Sequence, residues 1–323
     1  MKNIRRYKYI AILSLTILFY NCGSNQEPPS ALDNFYSCTG GIMSVYNPNE
    51  FCDLNLSEEE SNALLGCAAI LWLDGAEDAK SLFGPISQWN TSCITSMKGL
   101  FEKGDSNYFF NEDISSWDVR NVTDMAQMFR GAYSFNQDLS LWNTGKVIDV
   151  EEMFHEAQNF NGNISGWNTE NMINMSRMFF WAKSFNQDLN SWNTEKVKFM
   201  RGMFYDAQSF NGTIAKWNTE KVTSMYSMFL GATSFNGNIS EWVTGNVSNM
   251  SRMFEGASRF NGNIASWNVE KVFFIEKMFS SATSFNQDLS EWNVEKVENF
   301  SDFSWDANPN WSDEHKPNFR SLY

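Results

Sequence analysis

The sequence predicts an α/β solenoid of about nine 25-residue units, each a short strand and a short helix, behind an N-terminal helical cap. Three observations predict it: a tryptophan that returns at constant spacing, companion columns that keep the same step, and a loss of the pattern at both ends of the chain. Trp117, Trp142, Trp167, Trp192, Trp217, Trp242, Trp267 and Trp292 recur every 25 residues. Trp89 precedes Trp117 by 28, and a three-residue insertion between Phe101 and Phe110 accounts for the difference.

The companion columns define what each unit buries. Phe110, Phe135, Phe160, Phe185, Phe210, Phe235, Phe260 and Phe285 are each followed by Asn, and an Ile or Leu stands four residues on, as in Ile114 and Leu139. Met-Phe pairs run from Met128-Phe129 to Met278-Phe279, with an alanine three residues later, from Ala132 to Ala282. A unit this short cannot bury its own apolar face, so like residues must stack on like residues in neighbouring copies. Val122, Met125, Met128, Phe129 and Ala132 fall on a helical stripe, with Thr123 or Asp124 as N-cap. Two or three turns of helix are not stable alone, so stacking must hold them. The segment Leu139-Ser140-Leu141-Trp142 and its equivalents read as the strand of a parallel sheet. The Asn of the F-N and W-N pairs reads as a turn device whose side chain bonds the backbone of its own or the next unit. Strands spaced by ~4.8 Å would make the array about 40 Å long.

The ends require caps, because an open apolar edge invites association. Ser57-Glu58-Glu59-Glu60 is a capping box ahead of the apolar run Ala63 to Leu73, which places a helix at about 58–73 within a cap at 34–85. The repeat array occupies 86–307. In its last unit Phe300 and Phe303 stand where Met is expected and Ala307 is kept; Trp305, Trp311 and Phe319 are expected to fold over the final unit as part of a tail at 308–323.

Before the cap, Lys2, Arg5, Arg6 and Lys8 precede an apolar run from Tyr9 to Tyr20 and then Asn21-Cys22-Gly23-Ser24. This is a targeting segment at 1–21, too short to span a bilayer comfortably. It reads as a lipoprotein signal in which Cys22 becomes the acylated (palmitate-type) first residue, with a flexible tether at 22–33. An ordinary cleaved signal peptide or an uncleaved anchor is the competing reading, since Phe19-Tyr20-Asn21 is bulkier than the usual residues before such a cysteine. The remaining cysteines, Cys38, Cys52, Cys67 and Cys93, all lie before residue 94 and are candidates for two disulfides in an exported chain; all three connectivities are open, as is the reading of free buried cysteines.

The resulting motif, F-N-Q-D-L-S-x-W-N-T-x-x-V-x-x-M-x-x-M-F-x-x-A over about residues 86–307, resembles the 25-residue PARCEL-type repeat of the BspA-like leucine-rich-repeat surface proteins. The resemblance implies a leucine-rich-repeat-like solenoid on a bacterial surface or outer-membrane lipoprotein, with a role in adhesion, and brings no catalytic residues.

Charge and motif content narrow the function. The 24 Lys and Arg against 38 Asp and Glu give a net charge of −14, which argues against nucleic acid and against electrostatic docking on anionic lipid. Contact with a membrane is expected through the lipid anchor only. Two histidines leave little for acid/base work near neutral pH, and His155 reads as a solvated surface residue. The Asp138, Asn163 and Asp188 column lacks the nine-residue period of calcium-binding rolls. No metal, cofactor or catalytic motif is expected. Specificity then lives at the variable positions. Aromatic residues interrupt polar columns at Lys198-Phe199, at Phe273-Phe274 and at Trp181, so Phe199, Phe273, Phe274 and Trp181 are candidate contacts for a protein or glycan partner, packing against a neighbouring unit being the alternative. A binding module is the expected function. A structural or antigenic coat protein without a specific ligand is the alternative, and a carbohydrate-active enzyme is disfavoured.

Overall fold

The computed structural model describes residues 52, 56–75, 80–81, 83–102 and 109–319. The expected targeting segment, Cys22, the expected tether and Cys38 lie outside these residues. Successive 25-residue units stack in parallel register. Single parallel bridges link Ser96 to Asp124, Asp124 to Asp149, Asp149 to Asn174 and Asn174 to Phe199, then Ser224 to Asn249, Asn249 to Phe274 and Phe274 to Asn299.

Two elements differ from the sequence expectation. The stripe from Val122 to Ala132 is not a helix, and its equivalents are not helical either. It is a run of tight turns, in which Met128, Arg130 and Ala132 donate their N–H to the carbonyls of Met125, Gln127 and Phe129 at 3.0–3.2 Å. The intervening N–H groups leave the unit altogether: Met125, Gln127, Phe129 and Gly131 donate to Asp149, Glu151, Met153 and His155 of the next one, at 2.8–2.9 Å. Such alternation needs left-handed residues, and Gln127 (φ 62°) and Gly131 (φ 73°) supply them, as do their equivalents along the chain. A non-glycine residue held there costs on the order of 1 kcal/mol. The inter-unit bonds and the ring stacking beneath them offset that cost. Asp124 does cap, but it caps a turn, accepting from the Ala126 N–H at 2.9 Å.

The predicted strand also moves. Leu139 to Trp142 forms a turn closed by the Trp142 N–H on Leu139 O at 3.1 Å, and the parallel bridges sit two residues past the Val column instead. The tryptophan still ties units together, but through its indole: Trp142 Nε1 donates to Ile114 O, Trp167 Nε1 to Leu139 O and Trp192 Nε1 to Ile164 O, at 3.0–3.2 Å. A side-chain donor thus does work that a strand would have assigned to the backbone.

The core is a set of aromatic columns. Phe154, Phe179 and Phe204 stack at 5.8 and 5.6 Å, Trp167 and Trp192 at 6.3 Å, and within one unit Phe179 lies on Phe185 at 3.8 Å. All of these rings are buried. Both asparagine columns act as turn devices. From Asn111 to Asn261, Oδ1 of the F-N asparagine accepts the backbone N–H of the same residue one unit on, as Asn136 does from Asn161 at 2.8 Å. The W-N asparagine works within its own turn, Asn168 Oδ1 accepting from Glu170 at 3.1 Å.

A rule for the residue after F-N emerges only from this packing. Gln137, Gln187 and Gln287 reach back with Nε2 to the carbonyl of Asn111, Asn161 and Asn261. The unit that follows Gln137 or Gln187 carries Gly162 or Gly212, where a Cβ would overlap the carbonyl oxygen of that preceding Gln. Glycine is present there for close backbone approach.

The ends are covered. α1, Glu58–Asp74, opens on its capping box: Glu60 N donates to Ser57 Oγ at 3.2 Å and Ser57 N to Glu60 Oε2 at 2.8 Å. It stands where a preceding unit would stand, because Asn62 Oδ1 receives the N–H groups of Thr95 and Ser96, and Trp72 packs edge-on to Trp89 at 5.7 Å. A Cys52–Cys93 disulfide joins the cap to the first unit, and Cys67 is disulfide-bonded as well. At the other end Trp311 lies edge-on to Phe279 and Phe285 and donates Nε1 to Gln287 O, while Phe300 stacks on Phe319. Trp305 does not join this lid; it remains 64% exposed.

Candidate binding face

The turn-and-bridge segment presents its variable positions to solvent while the Val, Met and Phe columns point inward. The bridge column has a structural duty. Asp124, Asp149, Asn174, Asn249 and Asn299 each accept, through the side chain, the N–H two residues on, at 2.8–3.1 Å. Such a bond contributes about 0.5–1.5 kcal/mol. Phe199 and Phe274 occupy the same column and cannot make it, and these residues are 50% and 41% exposed. Phe273, beside Phe274, is 37% exposed.

Trp181 gives up stability in a different way. Its column is a left-handed turn position, held by glycine at Gly131, Gly231 and Gly256 and by the polar residues Glu156, Asp206, Ser281 and Asp306; Trp181 is the aromatic exception there, at φ 59° and 38% exposed. The four aromatic residues do not form one cluster. Trp181 and Phe199 lie in adjoining units, whereas Phe274 is three units beyond Phe199, about 15 Å along the stack.

Around Trp181 the structure assembles residues to which the sequence assigned no part in a site. Phe180 stacks on His155 at 4.5 Å and on Tyr205 at 4.2 Å, and its centroid is 6.0 Å from that of Trp181. Tyr226, 40% exposed, stands in the next unit. His155 is therefore not a solvated residue: its side chain is 12% exposed and its buried Nδ1 has no hydrogen-bond partner. Their spacing of 25 was the available signal, since His155, Phe180 and Tyr205 fall in one column.

Below them lies an ion network centred on Glu152. Arg177 donates to it at 2.9 Å and Gln127 at 3.1 Å, Arg130 approaches to 3.4 Å and also bonds Glu102 at 2.6 Å. Burial pushes the Glu152 carboxyl up, but Arg177, Gln127, His155 and Arg130 together outweigh it and hold the carboxyl below the usual carboxylate range. Burial is also the largest influence on His155 and, despite Glu152 and Glu156, lowers it from the ordinary 6.5. Tyr205 is pushed up by burial and by Asp206 and Glu255. Among the described residues no three His, Cys, Asp or Glu side chains are grouped to hold a metal ion, and no helix is long and apolar enough to cross a membrane.

Stacked columns at constant period make this a tandem-repeat protein. The family described as "Mycoplasma protein of unknown function, DUF285" matches it three times in overlapping stretches, at residues 75–180, 140–235 and 211–314, and the chain belongs to that family. No curated protein and no solved structure matches it.

Proposed function

We propose that the chain is a leucine-rich-repeat-like solenoid of the BspA-like type, exported and anchored through acylated Cys22, which acts by binding a protein or glycan partner and not by catalysis. One observation carries the reading. At Phe199, Phe274 and Trp181 the chain gives up a capping bond or a glycine-favouring position and leaves an aromatic residue exposed at the surface. Large exposed aromatic side chains on a polar rim are the residue type that anchors interfaces, and the loss of local stability at those positions calls for a compensating use.

The test compares the wild-type chain with the variant carrying W181A, F199A, F273A and F274A in a pull-down from host-cell surface extract, with circular dichroism as the control for folding. The variant is expected to stay folded and lose the captured ligand. Capture equal to wild type would refute the assigned face, and capture of nothing by either chain would favour the coat-protein reading. Mass spectrometry of the mature N-terminus tests the anchor, through a diacyl or triacyl mass on Cys22.

A further inference from the structure

The surroundings of Trp181 carry the binding-face reading, on which this inference rests, one step further to a class of ligand. In the column of Trp181 the residues one unit away on either side are Glu156 and Asp206, both held left-handed at φ 60° and 53°. Neighbouring units are about 4.8 Å apart, so the backbone positions of two acidic residues adjoin that of Trp181, one on each side. Glu156 accepts from the Tyr133 hydroxyl at 3.2 Å and lies 3.5 Å from His155 Nε2; Asp206 accepts from Gln208 at 3.1 Å. Among the described residues neither is paired with an arginine or lysine.

A cation already responds to this arrangement. Lys183 Nζ lies over the Trp181 ring, 6.0 Å from its centroid. An aromatic face is the negative end of the ring quadrupole and attracts cations, the more so beside carboxylates. An anionic ligand would be repelled by the two carboxylates, whereas a cation gains from both the ring face and the carboxylates. The net charge of −14 adds a long-range field of the same sign.

We propose that the Glu156–Trp181–Asp206 column is a binding site for a positively charged side chain, an arginine or lysine in a basic segment of a partner protein. The indole takes the cation on its face, the carboxylates flank it, and Lys183 is an internal competitor that the partner displaces. The aromatic run His155–Phe180–Tyr205 backs the indole and limits its motion.

The test is calorimetric titration of the full chain with a nine-residue arginine peptide at about 0.15 M salt, where surface charges act over roughly 8 Å. Trp181→Gly is the informative variant, because glycine already fills this column at Gly131, Gly231 and Gly256 and suits the backbone there. It is expected to bind about threefold to fivefold more weakly. The E156Q/D206N pair is expected to bind more weakly and with a shallower salt dependence. Lys183→Ala is expected to bind more tightly. Unchanged affinity in Trp181→Gly would overturn the proposal, since attraction would then be diffuse charge alone, and so would weaker binding by Lys183→Ala. If the arginine peptide does not bind while the fourfold aromatic variant loses a captured ligand, the ligand class falls and the face stands. If the fourfold variant keeps its ligand, both fall.

Discussion

Replacing Phe179 with alanine tests whether stacked aromatic columns hold the protein together. The ring is fully buried and touches four others: Phe185 at 3.8 Å within its unit, Phe154 at 5.8 Å in the preceding unit, Phe204 at 5.6 Å in the next, and Trp192 at 6.5 Å. Truncating a buried phenylalanine costs about 3–5 kcal/mol, the upper end applying where the surroundings cannot collapse into the hole. Collapse is restricted here. The units on both sides are pinned by the backbone bonds Phe154 N to Met178 O and Phe179 N to Met203 O, each 2.9 Å, so closing the hole would break their register. The loss also falls on two unit interfaces at once, and in a linear array each interface stabilises only its neighbours. We therefore expect a loss near 4–5 kcal/mol in urea unfolding followed by far-ultraviolet circular dichroism. The same substitution at Phe303, which packs against Phe279, Trp311 and Phe319 but faces a repeat unit on one side only, is expected to cost less. A loss below about 1.5 kcal/mol at Phe179, or equal losses at the two positions, would refute the reasoning.

Two further outcomes follow from the packing and the charges. Gly162→Ala is expected to lose about 1–3 kcal/mol through overpacking against the backbone carbonyl of Gln137, whereas Gly237→Ala, whose nearest backbone atom is Gly212 O at 3.7 Å, is expected to lose less; the pair of urea midpoints decides it. Stability is also expected to fall on acidification. His155 titrates lower in the folded chain than in the unfolded one, so the unfolded chain takes up its proton first: stability is complete above the ordinary value of 6.5 and declines as pH falls towards the folded value. Glu152 is likewise depressed and adds a second loss at lower pH, below the unfolded carboxylate range. His155→Phe, which keeps a ring against Phe180, is expected to abolish the first decline and leave the second, read as melting temperature against pH.

How much of this was legible beforehand depends on which residues a property couples. The period, the buried columns, the capped helix at Glu58–Asp74 and the exposed aromatic exceptions were readable from residues taken singly or from local spacing, because burial and capping are imposed on individual side chains. The conformation of the Met-Phe segment was not. Apolar residues at Val122, Met125, Met128, Phe129 and Ala132 suit a helix and a run of turns equally well. The choice rests on where the N–H groups of Met125, Gln127 and Phe129 find acceptors, and those lie 24 residues downstream. For the same reason the bridges fell beside the Val column and not at the tryptophan, whose indole N–H supplied the inter-unit bond there. The Gln-then-Gly order after F-N likewise records the approach of two backbones and has no local cause. Trp181 could be singled out as an exception in its column, but its company could not. His155, Phe180, Tyr205, Glu156 and Asp206 are ordinary surface residue types until stacking sets them side by side.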